Sequence, residues 1–307
     1  MTFDPQSFRG LSVALLTPMH EDGSIDEPTL RAHVDRMIAG GCDVLMPCGT
    51  TGEAATLSVE EQERVVRIVV EAADGRVPVV AGAGSNSTAV ARQLAANAKG
   101  AGASGILAVT PSYNKPSQEG LLGHFTAIAD AADGLPVVLY NVPGRTAVNL
   151  EVATTLRLAE LDQIVGIKEA TGTLDPIHTL LAERPEGFLV LAGDDILTLP
   201  ALALGGDGVV SVAANEAPEL MSRLVRSAAA GEFDEARRLH FHLLPLLRMN
   251  FVETNPVPVK TACHLMGMMR PEVRAPLAPL AVGNLARLEA VLHRVGLLGD
   301  PGAGEAR

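Results

Sequence analysis

Eight short apolar runs, rich in β-branched residues and cut off by Gly, Pro or Asp, recur near Val13, Val44, Val79, Ile106, Val138, Val165, Leu189 and Val209. Successive runs lie 20 to 35 residues apart, room for one amphipathic helix and two short connections. Such alternation builds parallel strands joined by crossover helices, and eight is the number at which the sheet closes on itself. An open doubly wound sheet would carry a glycine-rich dinucleotide turn after its first strand. Here the run Leu11–Thr17 passes straight into Pro18 and a charged turn. The pattern predicts an α/β chain folded as a (β/α)8 barrel of the TIM type.

Capping signals between the runs agree. Ser58 with Glu61 three residues later predicts a capping box opening a helix over Val59–Ala73, and Ser117 with Gly120 predicts one leading into Leu121–Ala132. Beyond Ala230 the period is helical through Phe233–Leu247 and again through Gly283–Leu297, with no further strand run. The expected organisation is a catalytic barrel over 1–230 and a small helical C-terminal domain over 231–298. The Gly-, Ala- and charge-rich tail 299–307 is expected to be disordered.

Composition narrows the partners. With 47% hydrophobic residues the chain of 307 has material for a sizeable core. Its 36 acidic against 24 basic residues, net −12, repel a phosphate backbone, so nucleic acid is not an expected partner. Three cysteines with no C-x-x-C pair give neither a disulfide framework nor a zinc knuckle, and point to a reducing cytoplasm. The opening Met-Thr-Phe-Asp-Pro lacks a basic stretch followed by an apolar one, and no apolar run reaches the ~18 residues of a membrane span. No membrane association is expected.

In a barrel of this type the chemistry sits at the C-terminal ends of strands. The sixth run, Ile164-Val165-Gly166-Ile167-Lys168-Glu169, ends in a lysine. Burying an amine at that place costs several kcal/mol unless it is paired or neutral. Lys168 is therefore either an amine nucleophile suited to imine formation with a ketone, or a rim lysine paired with Glu169 or Asp194. The chain has four lysines against twenty arginines, and an arginine cannot form an imine. Lys99, at a helix end, reads as a solvated charge.

The only two tyrosines, Tyr113 and Tyr140, follow predicted strands in Pro-flanked contexts. They are either proton-relay hydroxyls or amphipathic residues at the barrel mouth. Gly49-Thr50-Thr51-Gly52, after the second run, offers hydroxyls and approachable N–H groups for a small carboxylate or phosphate. It reads equally as a tight turn, and it lacks the spacing of a P-loop. Arg145 either clamps a second carboxylate or is an ordinary surface arginine. Asp194-Asp195 reads as a helix cap before it reads as a metal site.

Taken together, Gly49-Thr50-Thr51-Gly52-Glu53, Tyr140-Asn141-Val142-Pro143 and Gly166-Ile167-Lys168-Glu169-Ala170 resemble the dihydrodipicolinate synthase and N-acetylneuraminate lyase family of pyruvate-dependent class I aldolases. Further matching segments are Thr110 to Gly120, Ala192-Gly193-Asp194-Asp195 and Asn255-Pro256-Val257-Pro258-Val259-Lys260. The resemblance implies that Lys168 forms an imine with pyruvate, while Tyr140 shuttles protons through Thr50 and Tyr113. It also implies that Thr50 and Thr51 hold the pyruvate carboxylate, with Gly193 and Val210 completing the substrate site. Tyr113 would reach into a neighbouring subunit, giving a homotetramer built as a dimer of dimers. Neither metal nor nucleotide cofactor is implied.

Arg145 resembles the carboxylate-binding arginine of the synthases, whereas lyases of sugar acids place an uncharged residue there. The implied reaction condenses pyruvate with L-aspartate 4-semialdehyde, in lysine and diaminopimelate synthesis. The alternatives are a pyruvate-dependent aldolase or dehydratase acting on a sugar acid, and a non-catalytic barrel that binds a keto acid. In feedback-inhibited synthases the lysine effector is held at positions matching Ala54, Val59, Gln62, Asn86, Val90 and Ser112. Val90 stands at the acidic position and Ser112 at the aromatic one, so weak or absent inhibition by L-lysine is expected.

Overall fold

The structure, a computed structural model, describes residues 4–299. Most of the tail expected to be disordered, 300–307, lies outside the described residues. A strand forms at each apolar run: β1 Gly10–Ala14, β2 Val44–Met46, β3 Val80–Gly82, β4 Gly105–Val109, β5 Val137–Asn141, β6 Ile164–Glu169, β7 Leu189–Ala192 and β8 Gly208–Ser211. Neighbours pair in parallel in the order β2-β1-β8-β7-β6-β5-β4-β3. A bridge between Leu45 and Val79 joins the two ends and closes the barrel.

Side chains alternate along each strand. Leu139, Ile167, Val190 and Val209 join the apolar cluster beneath the helices, while Val138, Tyr140, Leu189, Leu191 and Val210 fill the barrel interior. Because both faces are buried, the strands read as unbroken apolar runs. Phe8, from the 3-10 turn Pro5–Phe8 before β1, belongs to the interior set. The helix Val59–Ala73 starts at its capping box: Glu61 N donates to Ser58 Oγ at 3.2 Å, and Ser58 N donates to the Glu61 carboxylate at 2.9 Å. Ser117 likewise caps Gln118–Ala132, accepting from Gly120 N.

After the last barrel helix, Pro218–Ala229, come three more: Phe233–Met249, Val257–Leu265 and Val282–Arg294. The middle one has no counterpart in the sequence pattern. Pro258 occupies its first turn, where a missing N–H leaves no bond unmade. Leu239, Leu243, Leu288 and Leu292 are fully buried in the same apolar cluster as the barrel helices. The C-terminal helices thus share the barrel's core, and their packing brings the end of Phe233–Met249 to the barrel's C-terminal rim.

Candidate active site

At that rim lies a cavity of about 310 Å3, lined from the ends of β2, β5, β6, β7 and β8 and from the C-terminal segment. The β5–β6 register sets Tyr140 directly beside Lys168. Both side chains point inward, and Lys168 Nζ stands 4.2 Å from the centre of the Tyr140 ring. Lys168 is only 5% exposed.

The carboxylates that the sequence offered as its partners are engaged elsewhere. Glu169 accepts from Asn141 Nδ2 at 3.0 Å and from Thr171 N at 2.8 Å. Burial pushes its carboxyl above the ordinary range, against those hydrogen bonds. Asp194 caps the following turn by accepting from Ile196 N at 3.0 Å. Among the described residues no carboxylate lies within ion-pair distance of Lys168.

Gly193, at the end of β7, closes the space behind the lysine. A Cβ there would stand 2.6 Å from Ala170 Cβ and 3.1 Å from Lys168 Cγ, so only glycine permits this approach. On the opposite wall Thr50 and Thr51 follow β2, and Thr51 Oγ1 accepts from Asn255 Nδ2 at 3.0 Å. Arg145 sits in the one-turn helix Pro143–Thr146 immediately after β5, its Nη2 3.5 Å from Asn255 O.

The structure therefore brings Lys168, Tyr140, Thr50, Thr51, Arg145 and Gly193 to one cavity. Val210 is not on its wall. It lies deeper, paired with Ser12 in the barrel interior, and Val212 beyond the strand end faces the cavity instead. Tyr113 is also absent from it: the residue is 89% exposed and has φ +75°. Among the described residues no hydrogen bond joins the hydroxyls of Tyr140, Thr50 and Tyr113.

Sequence reasoning missed Leu247, Arg248 and Phe251, which reach the cavity from the end of the helix Phe233–Met249 and the turn after it. Asn255 stood in a quoted motif without a role. Two guanidinium groups and one amine thus face the cavity against a single carboxylate, Asp194. In a chain of net charge −12 that local excess suits small anions.

A second cavity, of about 620 Å3, adjoins the first through Thr50, Tyr140, Val142 and Arg145. Ala54, Val59, Gln62, Asn86, Val90 and Ser112 all line it, and none of its lining side chains is acidic. Cys48 borders it too, but burial pushes that thiol up to about 12, which leaves it inert at neutral pH.

A 4-hydroxy-tetrahydrodipicolinate synthase of Pelobacter propionicus is 54% identical over 291 residues, covering 95% of this chain and all of that protein. The crystal structure of dihydrodipicolinate synthase from Aquifex aeolicus superposes with a TM-score of 0.92 at 44% identity, covering 94% of this chain and 99% of that one. A chloride-inhibited dihydrodipicolinate synthase from Acinetobacter baumannii, complexed with pyruvate, gives 0.92 at 43% identity, with 94% and 99% covered. Residues 7–295 match the model of the dihydrodipicolinate synthetase family, and with the barrel, the inward lysine and the neighbouring phenol in place, the chain belongs to that family.

Proposed function

We propose that this chain condenses pyruvate with L-aspartate 4-semialdehyde to 4-hydroxy-tetrahydrodipicolinate, as a Schiff-base-forming enzyme of lysine and diaminopimelate synthesis. The observation that carries it is the inward amine of Lys168 beside the Tyr140 ring, in a cavity that also holds the Arg145 guanidinium. Lys168 Nζ attacks the keto carbon of pyruvate, and loss of water leaves an imine. A proton leaves the former methyl, giving an enamine whose carbon adds to the aldehyde of the second substrate. The new alkoxide takes a proton, and the substrate's own amine then attacks the imine carbon. That closes the ring and returns Lys168 as a free amine. One water and one proton are released overall.

In this reading Tyr140 carries these protons between the imine and Thr50. Thr50 and Thr51 hold the pyruvate carboxylate and Arg145 the carboxylate of the semialdehyde, bidentately. The imine itself is the electron sink, so the scheme calls for no metal or nucleotide. Tyr113 is exposed in its own subunit and would complete the relay of a neighbour in a homotetramer. A cytoplasmic location fits three buried free thiols, and no helix among the described residues is long and apolar enough to cross a membrane.

The test is turnover of pyruvate with aspartate semialdehyde by the wild type and by Lys168→Ala. Product from the wild type alone supports the assignment. Cleavage of a sugar acid without that condensation would replace it with the lyase reading, which Arg145 disfavours.

A further inference from the structure

Lys260 and Glu53 form an ion pair of 2.6 Å with side chains 0% and 1% exposed, outside the wall of the reaction cavity. Taking two charges out of water costs several kcal/mol each, and a buried pair is often no more stabilising than apolar residues of the same volume. Its place in the fold suggests another use. Glu53 ends the segment Gly49-Thr50-Thr51-Gly52-Glu53, and its backbone N donates to Thr50 O at 3.1 Å. Its backbone is left-handed, φ +57°, a conformation that a non-glycine residue holds only when its surroundings enforce it.

The surroundings that do so come from the far end of the chain. Lys260, on the helix Val257–Leu265, takes one carboxylate oxygen of Glu53. Arg274 N donates to the other at 2.9 Å. The Arg274 side chain also donates to Thr56 O at 2.8 Å and pairs with Glu61, further along the same stretch. Asn255, just before the helix that carries Lys260, donates to Thr51 Oγ1. Residues 255–274 thus grip the turn after β2 at Thr51, Glu53 and Thr56.

We infer that Glu53 and Lys260 are positioning residues, which set the Thr50–Thr51 turn at the geometry that receives the carboxylate of the keto acid. The inference rests on the keto-acid reading of the cavity. Because the buried pair holds the turn that carries Thr50 and Thr51, its effect falls on pyruvate; Arg145, which meets the second substrate, touches the gripping segment only at Asn255 O, outside the ion pair.

The test compares Lys260→Met, Glu53→Gln and the double variant with both changes. Each single change strands one buried charge and lowers the melting temperature. The double variant removes both charges and recovers most of that loss. It is expected to keep a KM for pyruvate raised about tenfold, with the KM for the semialdehyde unchanged. The pyruvate concentration that gives half-maximal borohydride trapping on Lys168 should rise in parallel. Asn255→Ala, which leaves the ion pair intact, should shift the same parameter. Recovery of melting temperature and pyruvate KM together in the double variant would overturn the inference and leave a purely structural pair. Absence of trapping in the wild type would overturn the keto-acid reading, and this inference with it.

Discussion

Lys168 Nζ stands 4.2 Å from the centre of the Tyr140 ring because adjacent parallel strands place the two residues in register on the same inner face. The ring packs against the lysine whether or not it carries a hydroxyl. Tyr140→Phe is therefore expected to keep the fold and still capture pyruvate on Lys168. Its kcat should fall by about a hundred- to ten-thousand-fold, the range of a lost proton-transfer group. Steady-state kinetics beside borohydride trapping separates the two effects; an unchanged kcat would remove Tyr140 from the relay.

Arg145 faces the cavity from the turn after β5. Arg145→Ala is expected to lower kcat/KM for aspartate semialdehyde about tenfold to a hundredfold, the range for a hydrogen bond to a charged group. The KM for pyruvate should be little changed. Arg145→Lys should recover only part of the loss, since an ammonium cannot reproduce the guanidinium fork. Equal losses for both substrates would contradict the assignment of that carboxylate.

The eight strands and the inward lysine were legible because each is a local signal: a run of β-branched residues between breakers, and a lysine where such a run ends. Tyr140 was legible for the same reason, since it is the last residue but one of β5 as Lys168 is of β6. Leu247, Arg248 and Phe251 were not. They lie on a C-terminal helix and its exit, roughly eighty residues beyond Lys168, and in sequence they are an amphipathic helix end like any other. Whether such a helix end faces solvent or the barrel mouth is decided by tertiary packing. Val210 lies in the barrel interior with Tyr140, below the cavity wall that Val212 lines, a difference of height that the sequence pattern does not carry.

No acidic side chain lines the second cavity, where Val90 and Ser112 stand at the positions that the resemblance implies would carry an effector's counter-charge and aromatic ring. L-Lysine at sub-millimolar concentration is therefore expected to leave the rate unchanged. Half-inhibition in that range, measured at saturating pyruvate, would show that this cavity holds a cation by other means.

Two groups with large shifts contribute to the dependence of stability on pH. His33 is buried, and desolvation lowers its pKa from 6.5 to about 4. The unfolded chain thus binds its proton first, and stability falls as pH drops from about 6.5 towards 4, by ~3 kcal/mol over that span. Glu61 is held down from 4.5 to about 2, first by its hydrogen bond from Arg274. Its contribution is present above about 4.5 and is lost as pH falls towards 2. Chemical denaturation of the wild type and of His33→Gln, repeated across pH 4 to 7, should show a flatter curve for the variant. Parallel curves would mean that His33 does not carry the upper step.

Covalent capture of the keto acid is the most direct measurement. Incubation with pyruvate, reduction with borohydride and peptide mapping by mass spectrometry should find the adduct on the peptide carrying Lys168, and none in Lys168→Ala. A reduced adduct on Lys99, Lys115 or Lys260 instead, or no adduct at all under conditions of turnover, would contradict imine chemistry at the end of β6.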